Sequence, residues 1–538
     1  MITFACFLNE IQPCMNIFNF KINEKSFYFI TLTIIVWVGM RLADAPMERD
    51  EGEYAYAGWQ ILRGGLPYVD FYNMKFPGTY FFYALIFKCF GVSINAVRVN
   101  VLVLNILSSF FIIKIAKNLL DEESSWIAGG TFLLLSMSFG AQGIIANTEH
   151  FVVFFAMLGL WLLIEKMPLW AGINLAIACI MKQHGVFYLG FVFFFILMQH
   201  LQTKNLKNTI VSILWFSMGY MIPFAIFFSY LMHNNIVPNF YFFAVEYASA
   251  YSTLIKPTFK YISTYKYLFI DNPLFWLVFW AALWHIFKNK LNLKYWNKNI
   301  EILLIVVFFI VSFMAICPGW FFRPHYFQLI FPASALIMAY GFKELNWNKR
   351  FKGKILGKQH FLATALMVSV LCQVGYFFYK SPDTIIDELY DGECFTGLRD
   401  VGQFLNNKTK PADKIGIFGS DPQLFFYAQR ESASGYMYAY PLVENQPFAD
   451  TMMHQYIHEI ESKNPEWLIY LTTSKGENNK KNVVHIDNWF ADYSRKYYNY
   501  SGVFYEDKQK KGKLIWSESV LDTSFHTIAY IYQKQNKL

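Results

Sequence analysis

From residue 26 to about residue 379 the chain alternates long apolar runs with short polar connections. The runs lie near 26–42, 96–116, 126–143, 147–164, 168–181, 186–200, 209–231, 272–287, 300–317, 326–342 and 359–379. A bilayer's hydrocarbon core asks for roughly 17–25 apolar residues per crossing, so the pattern predicts about eleven membrane helices. The stretch LWAGINLAIACIMKQHGVFYLGFVFFFILMQHL is too long for one crossing. Lys182-Gln183-His184-Gly185 interrupts it, so two short helices and a turn are expected there. From about residue 380 the pattern turns polar. DKIGIFG, PEWLIYLTT and KLIWS read as strands, DPQLFFYAQRES as a turn and helix, and HIDNWFADYSRKYYNYSG as a helix. The predicted division is therefore a membrane part, 1–379, and an α/β part, 380–538.

Composition supports this division. The 538 residues are 55% hydrophobic and 16% charged, which is wrong for a single soluble globule. The net charge of +8 does not ask for nucleic acid, because the basic residues sit in short connections between apolar runs. The seven cysteines show no paired metal spacing. The first apolar run lacks a small-residue cleavage motif and reads as a retained anchor.

Basic residues choose a side. One set of alternate loops holds fifteen, among them Lys114, Lys117, Lys166, Lys204, Lys207, Lys288, Lys290, Lys294 and Lys298 and those from Lys343 to Lys358. The other set is longer in total and holds nine: Arg49, Arg63, Lys75, Lys88, Lys182, Lys256, Lys260, Lys266 and Arg323. The first set is expected in the cytoplasm. The first loop, 43–95, and the segment after 380 are then expected to be extracytoplasmic, in a multi-pass membrane protein.

Five polar clusters fall on that outer side: RDEGEY, MKFPG, ANTEH, MKQHG and GWFFRPHY. Asp50 and Glu51 suit a helix N-terminus and equally a carboxylate that takes a proton from an incoming hydroxyl. Neighbours on a helix diverge, so only one of the two acts in this way. Lys75, before Pro77-Gly78, either snorkels or binds phosphate at a helix start. Glu149 and His150, Lys182 and His184, and Arg323, His325 and Tyr326 are each unremarkable as caps or anchors. Gathered on one face, ionisable groups at membrane depth mark a functional site.

These residues resemble a known group. RDEGEYAYAGWQIL, followed by DFYNMKFPGTYFFYAL, is similar to the first external loop of polyprenyl-phosphate-sugar-dependent membrane glycosyltransferases. Those include protein O-mannosyltransferases, the lipid A aminoarabinose transferase and rhizobial lipopolysaccharide glycosyltransferases. RPHYFQLIFPASAL resembles the helix near their donor site. The resemblance spans roughly residues 26–345 and implies the GT-C fold. It places the catalytic carboxylate on Asp50, with Glu51 as partner, and the donor-phosphate lysine on Lys75. Glu149 falls on a second acidic position, and Lys182 on a loop lysine. It implies a hexosyl- or pentosyltransferase with a polyprenyl-phosphate-linked sugar as donor and a glycan, lipid or protein acceptor. In the aminoarabinose transferase a Glu before the lysine helps hold a metal. Met74 stands there in this chain, so a divalent metal is left open. The rival classes are a lipid-linked sugar transporter or flippase, with charges along a path through the bilayer, and an oligosaccharide polymerase or ligase.

Overall fold

A computed structural model describes residues 21–254, 266–289, 300–345, 347, 349–351, 354–391, 393–472, 480–506, 514–519 and 527–535. Cys6, Cys14, Lys256, Lys260, Lys290, Lys294, Lys298 and Lys352 lie outside the described residues. Each expected span holds a helix, from Glu24–Arg41 to Lys358–Cys372 with its π-helical continuation Gly375–Tyr379. The protein is an α-helical polytopic membrane protein. Three helices among the described residues are long and apolar enough to cross a bilayer by themselves: Ile94–Leu119, Gln183–Thr203 and Leu206–His233.

Local chemistry sets the helix ends. Asn23, Ser93 and Asp121 each accept a backbone N–H three residues on, which satisfies a donor the first turn leaves free. The Leu206–His233 helix leaves Leu214, Met221 and Ile226 more than 60% exposed. An apolar surface of that kind suits lipid rather than water.

Two spans are shorter than expected. The helix Glu122–Ser136 stops before 143, because Ser138–Gly143 folds into turns. A Cβ on Gly140 would stand 2.7 Å from the Tyr267 backbone. The run 326–342 begins as a 3-10 turn, Pro324–Leu329, and becomes α-helical at Phe331–Glu344.

The C-terminal residues build a six-stranded mixed sheet. Its order is Glu431–Ser432, Lys414–Phe418, Trp467–Leu471, Thr527–Lys534, Tyr498–Glu506 and Leu514–Ser517. The first three strands are parallel, and the rest pair antiparallel. Ile415, Ile469 and Ile531 are all fully buried in the sheet. The helix expected over HIDNWFADYSRKYYNYSG ends at Tyr497, and Tyr498 begins a strand. Tyr498 pairs with Lys534 and donates its hydroxyl to the Pro465 carbonyl, a partner that local sequence does not reveal.

The sheet region docks on the first loop. The helix Arg49–Leu62 is buried from Glu51 to Gln60. Gly52 lets it approach the segment carrying Gln423, where an added Cβ would stand 2.6 Å from the Gln423 nitrogen. Arg49 pairs with Glu393 at 3.0 Å and Asp421 at 3.5 Å. The Tyr72 N–H donates to the Gly435 carbonyl at 2.7 Å.

Candidate active site

The site is built on the first turns of Arg49–Leu62. Glu48 caps this helix, accepting the Asp50 N–H at 3.0 Å and the Glu51 N–H at 2.8 Å. Residues three and four apart share a helix face, so Asp50, Glu53 and Tyr54 project together. Lys75 reaches them from the following loop, which Asn73 Oδ1 and Tyr68 Oη hold through the Lys75 N–H and carbonyl. The Lys75 ammonium donates to Glu53 Oε2 at 2.7 Å, Tyr54 Oη at 3.0 Å and Asp50 Oδ1 at 3.2 Å.

Glu53 is fully buried and well satisfied. Tyr80 donates to its Oε1, and Tyr438 donates to its Oε2 at 2.6 Å. Burial alone would raise the Asp50 pKa, but Lys75, supported by Arg323 and Lys182, holds that carboxyl well below the usual range. Burial opposes the Lys75 ammonium, yet Asp50 and Glu53 more than offset it and raise its pKa.

Asp50 Oδ2 faces the other way, 4.0 Å from His325 Nε2. His325 Nδ1 lies 3.1 Å from the amide oxygen of Gln142, an acceptor, so the proton is on Nδ1 and Nε2 offers a lone pair. Burial pulls the His325 pKa down to about 4, which keeps the ring neutral near pH 7. A hydroxyl seated in this gap meets two proton acceptors.

A second loop supplies Lys182. Gly78 opens the helix Gly78–Phe90 so close to Ile180 that a Cβ would stand 2.5 Å from the Ile180 carbonyl oxygen. Thr79 donates to the Met181 carbonyl, and Gln183 to the Met74 carbonyl, both at 3.1 Å. These contacts fix the turn that carries Lys182 beside the loop that carries Lys75. Lys182 pairs with Glu149 at 2.5 Å and lies 4.3 Å from the centre of the Tyr326 ring. The His184 ring meets the edge of Tyr326 at 5.4 Å.

Asp50, Lys75, Lys182 and Arg323 line one cavity of about 990 Å³, as do His184, His325 and Tyr326. Arg323 is exposed within it. Ala244, Ala248 and Ser252 form a second, weakly polar wall, and Tyr438, Tyr440 and Ser420 bring the C-terminal part to the rim.

Three predicted residues stand outside this lining. Glu149 is buried behind Lys182. Glu51 pairs with Arg98 at 2.5 and 2.8 Å and accepts the Ala146 N–H at 3.0 Å, so it braces the first loop against the helix Ile94–Leu119. One residue on a helix turns a side chain by about 100°, which separates Glu51 from Asp50. His150 lies on Asn105 at 3.0 Å.

Sequence reasoning missed Glu53, Tyr54, Gln142 and Tyr438. The three-residue spacing of Asp50 and Glu53 was a usable signal. Tyr438 had none. For a divalent metal the residues do not fit: the Lys75 ammonium already occupies the place between Asp50 and Glu53. No group of three metal-ligating side chains occurs among the described residues.

The architecture has known counterparts. Cupriavidus metallidurans ArnT bound to undecaprenyl phosphate superimposes with a TM-score of 0.59 at 12% identity, covering 94% of this chain and 97% of that one. Its apo state gives the same values. The chain has the GT-C fold. The Archaeoglobus fulgidus oligosaccharyltransferase in complex with Zn and sulfate is also similar, with a TM-score of 0.50 at 11% identity over 93% of this chain and 74% of that one. The family described as dolichyl-phosphate-mannose-protein mannosyltransferase matches residues 75–233, which take in Lys75, Glu149 and Lys182 of the GT-C scaffold. A sequence search of the curated proteins finds no match.

Proposed function

We propose that this chain is a membrane glycosyltransferase that moves a sugar from a polyprenyl phosphate to an acceptor hydroxyl, with inversion at the anomeric carbon. The observation that carries the reading is the pairing of Asp50 with Lys75 inside a cavity that also presents Lys182 and Arg323. A weakly polar wall of Ala244, Val245 and Ala248 in the same cavity as Lys75, Lys182 and Arg323 suits a lipid chain with an anionic head. The ArnT structure holding undecaprenyl phosphate supports the same donor class.

The acceptor oxygen attacks the anomeric carbon as the bond from that carbon to the phosphate oxygen breaks. The bonding pair leaves on the phosphate, and the hydroxyl proton passes to Asp50 Oδ2. Charge grows on the departing phosphate, and preorganised cations aimed at growing charge supply a large share of catalysis. Lys75 has three N–H donors, and all three are engaged. A phosphate entering beside it competes first for the longest bond, the one to Asp50. Lys75 then turns toward the phosphate and leaves Asp50 a stronger base. The site lies on the extracytoplasmic side of a bacterial inner membrane in this reading, with the α/β part of residues 380–538 above it. Glycans, lipids and proteins are all acceptable as the hydroxyl donor.

The experiment is transfer of radiolabel from a polyprenyl-phosphate sugar to host envelope acceptors by the purified, reconstituted protein. Wild type is expected to transfer, and Asp50→Asn to lose transfer while keeping its fold. Absence of transfer by wild type, or near-normal turnover in Asp50→Asn, overturns the reading.

A further inference from the structure

We propose that the C-terminal part completes the catalytic centre, with Tyr438 as a positioning residue that acts on Lys75 and Asp50 through Glu53. This rests on the transferase reading above and adds to it a residue that comes from outside the membrane part.

The geometry is specific. Tyr438 donates to Glu53 Oε2 at 2.6 Å, and the same oxygen receives Lys75 at 2.7 Å. The Tyr438 hydroxyl also stands 3.4 Å from Asp50 Oδ1. Glu53 therefore divides its negative charge among Tyr80, Tyr438 and Lys75. A carboxylate with fewer donors draws harder on those that remain. With Tyr438 present, Lys75 stays balanced between Glu53 and Asp50.

The segment 434–440, a strap bearing Tyr438, is held from both sides. Ala439 and Tyr440 give their N–H groups to Ser420 Oγ at 3.2 and 3.3 Å, and the Ala439 N–H lies 2.8 Å from the Gly419 carbonyl. Glu459 accepts from Ser434 Oγ and from Tyr72 Oη, each at 2.7 Å, which ties the strap to the first loop. Tyr438 is 4% exposed, and Glu53 Oε2 is the nearest acceptor to its hydroxyl, with the Arg49 carbonyl and Asp50 Oδ1 each at 3.4 Å. The charged and titratable groups facing Asp50 are Lys75, Lys182, Arg323 and His325, the tyrosines Tyr251, Tyr390 and Tyr438, and Glu48, Glu51, Glu53 and Tyr54 on its own segment.

The test uses the full-length protein in the transfer assay. Tyr438→Phe is expected to lower kcat by about ten- to a hundredfold, the effect of losing one hydrogen bond to a charged group. Donor KM should change little. The acid limb of its kcat/KM profile should rise toward the ordinary carboxylate range, because Lys75 swings to Glu53 and leaves Asp50. Glu53→Gln should lower kcat without raising that limb, and adding Tyr438→Phe to it should cost little more. Tyr456→Phe is the fold control: its hydroxyl bonds the Ile417 carbonyl within the sheet region, so transfer should be unchanged. An active wild type with an unaltered Tyr438→Phe variant overturns the inference and leaves the transferase reading intact. So does a Tyr438→Phe loss with an unmoved acid limb and full additivity with Glu53→Gln. A wild type without transfer removes both.

Discussion

The Lys75 ammonium lies nearer to Glu53, at 2.7 Å, than to Asp50, at 3.2 Å. Glu53 is fully buried, whereas the Asp50 side chain keeps 29% of its surface open. The lysine is thus anchored on one carboxylate and tunes the other. Removing it strands a buried charge on Glu53, at a cost of about 3–5 kcal/mol. Lys75→Met should therefore unfold well below wild type. Lys75→Met with Glu53→Gln should recover much of that stability and none of the transfer. Thermal unfolding in detergent measures the first effect and the radiolabel assay the second.

Asp50 and Glu51 should separate cleanly by phenotype. Asp50→Asn removes the proposed base and should keep a melting temperature close to wild type. Glu51→Gln breaks a pair with Arg98 whose side chains are 0% and 2% exposed. That should lower stability by about 3–5 kcal/mol. Turnover per folded molecule should fall far less than in Asp50→Asn. Activity normalised to folded protein distinguishes the two.

Arg323 carries the donor head in this reading and is exposed to the cavity. Arg323→Ala should weaken donor binding by about 1.5–3 kcal/mol, the range for a hydrogen bond to a charged group. The expected signature is a donor KM raised about ten- to a hundredfold. A titration of initial rate against donor concentration reads it directly.

Gly435 sits where a Cβ would come 2.4 Å from the Tyr72 ring. That ring cannot step aside, because it stacks on Phe243 at 4.7 Å and meets Tyr436 at 4.8 Å. Gly435→Ala should displace the strap at a cost of about 1–3 kcal/mol and lower kcat along with Tyr438→Phe. Proteolysis of the strap region should quicken in parallel.

Glu48 gives a pH dependence. Burial first, then Asp50 and Glu51, push its pKa up to about 8. The folded state then binds a proton that the unfolded chain releases in the ordinary carboxylate range. Stability falls as pH rises through that window to about 8 and levels off above it. Glu48→Gln lacks the titrating group, so its melting temperature relative to wild type should be higher at about pH 9 than at about pH 5. Paired melts at the two pH values check the sign.

Most of the helical scaffold was legible because each helix is an apolar run bounded by polar connections, although only three of those described reach crossing length by themselves. The break at Lys182–Gly185 was visible for the same reason, and the helix ends at Met181. The cavity residues Asp50, Lys75, Lys182, Arg323 and His325 stood out as ionisable groups where charge is expensive. Glu51 looked equivalent to Asp50 in sequence, and only the position of Arg98 on another helix separates them. Glu53 lay within RDEGEY and was not singled out from its acidic neighbours. Tyr438 is one of 35 tyrosines, and nothing local distinguishes it. Its place depends on the docking of the sheet region against Gly52 and Tyr72, a long-range fit that pattern cannot encode.

The Tyr438 strap also sets an order of events during synthesis. A nascent chain halted near residue 400 already contains every apolar crossing, along with Asp50, Lys75 and Arg323. It has the Tyr80 hydroxyl on Glu53 but lacks that of Tyr438. In the proposed reaction the full rate therefore arrives only with the last quarter of translation, and a chain that stops short of Tyr438 would discharge its donor slowly.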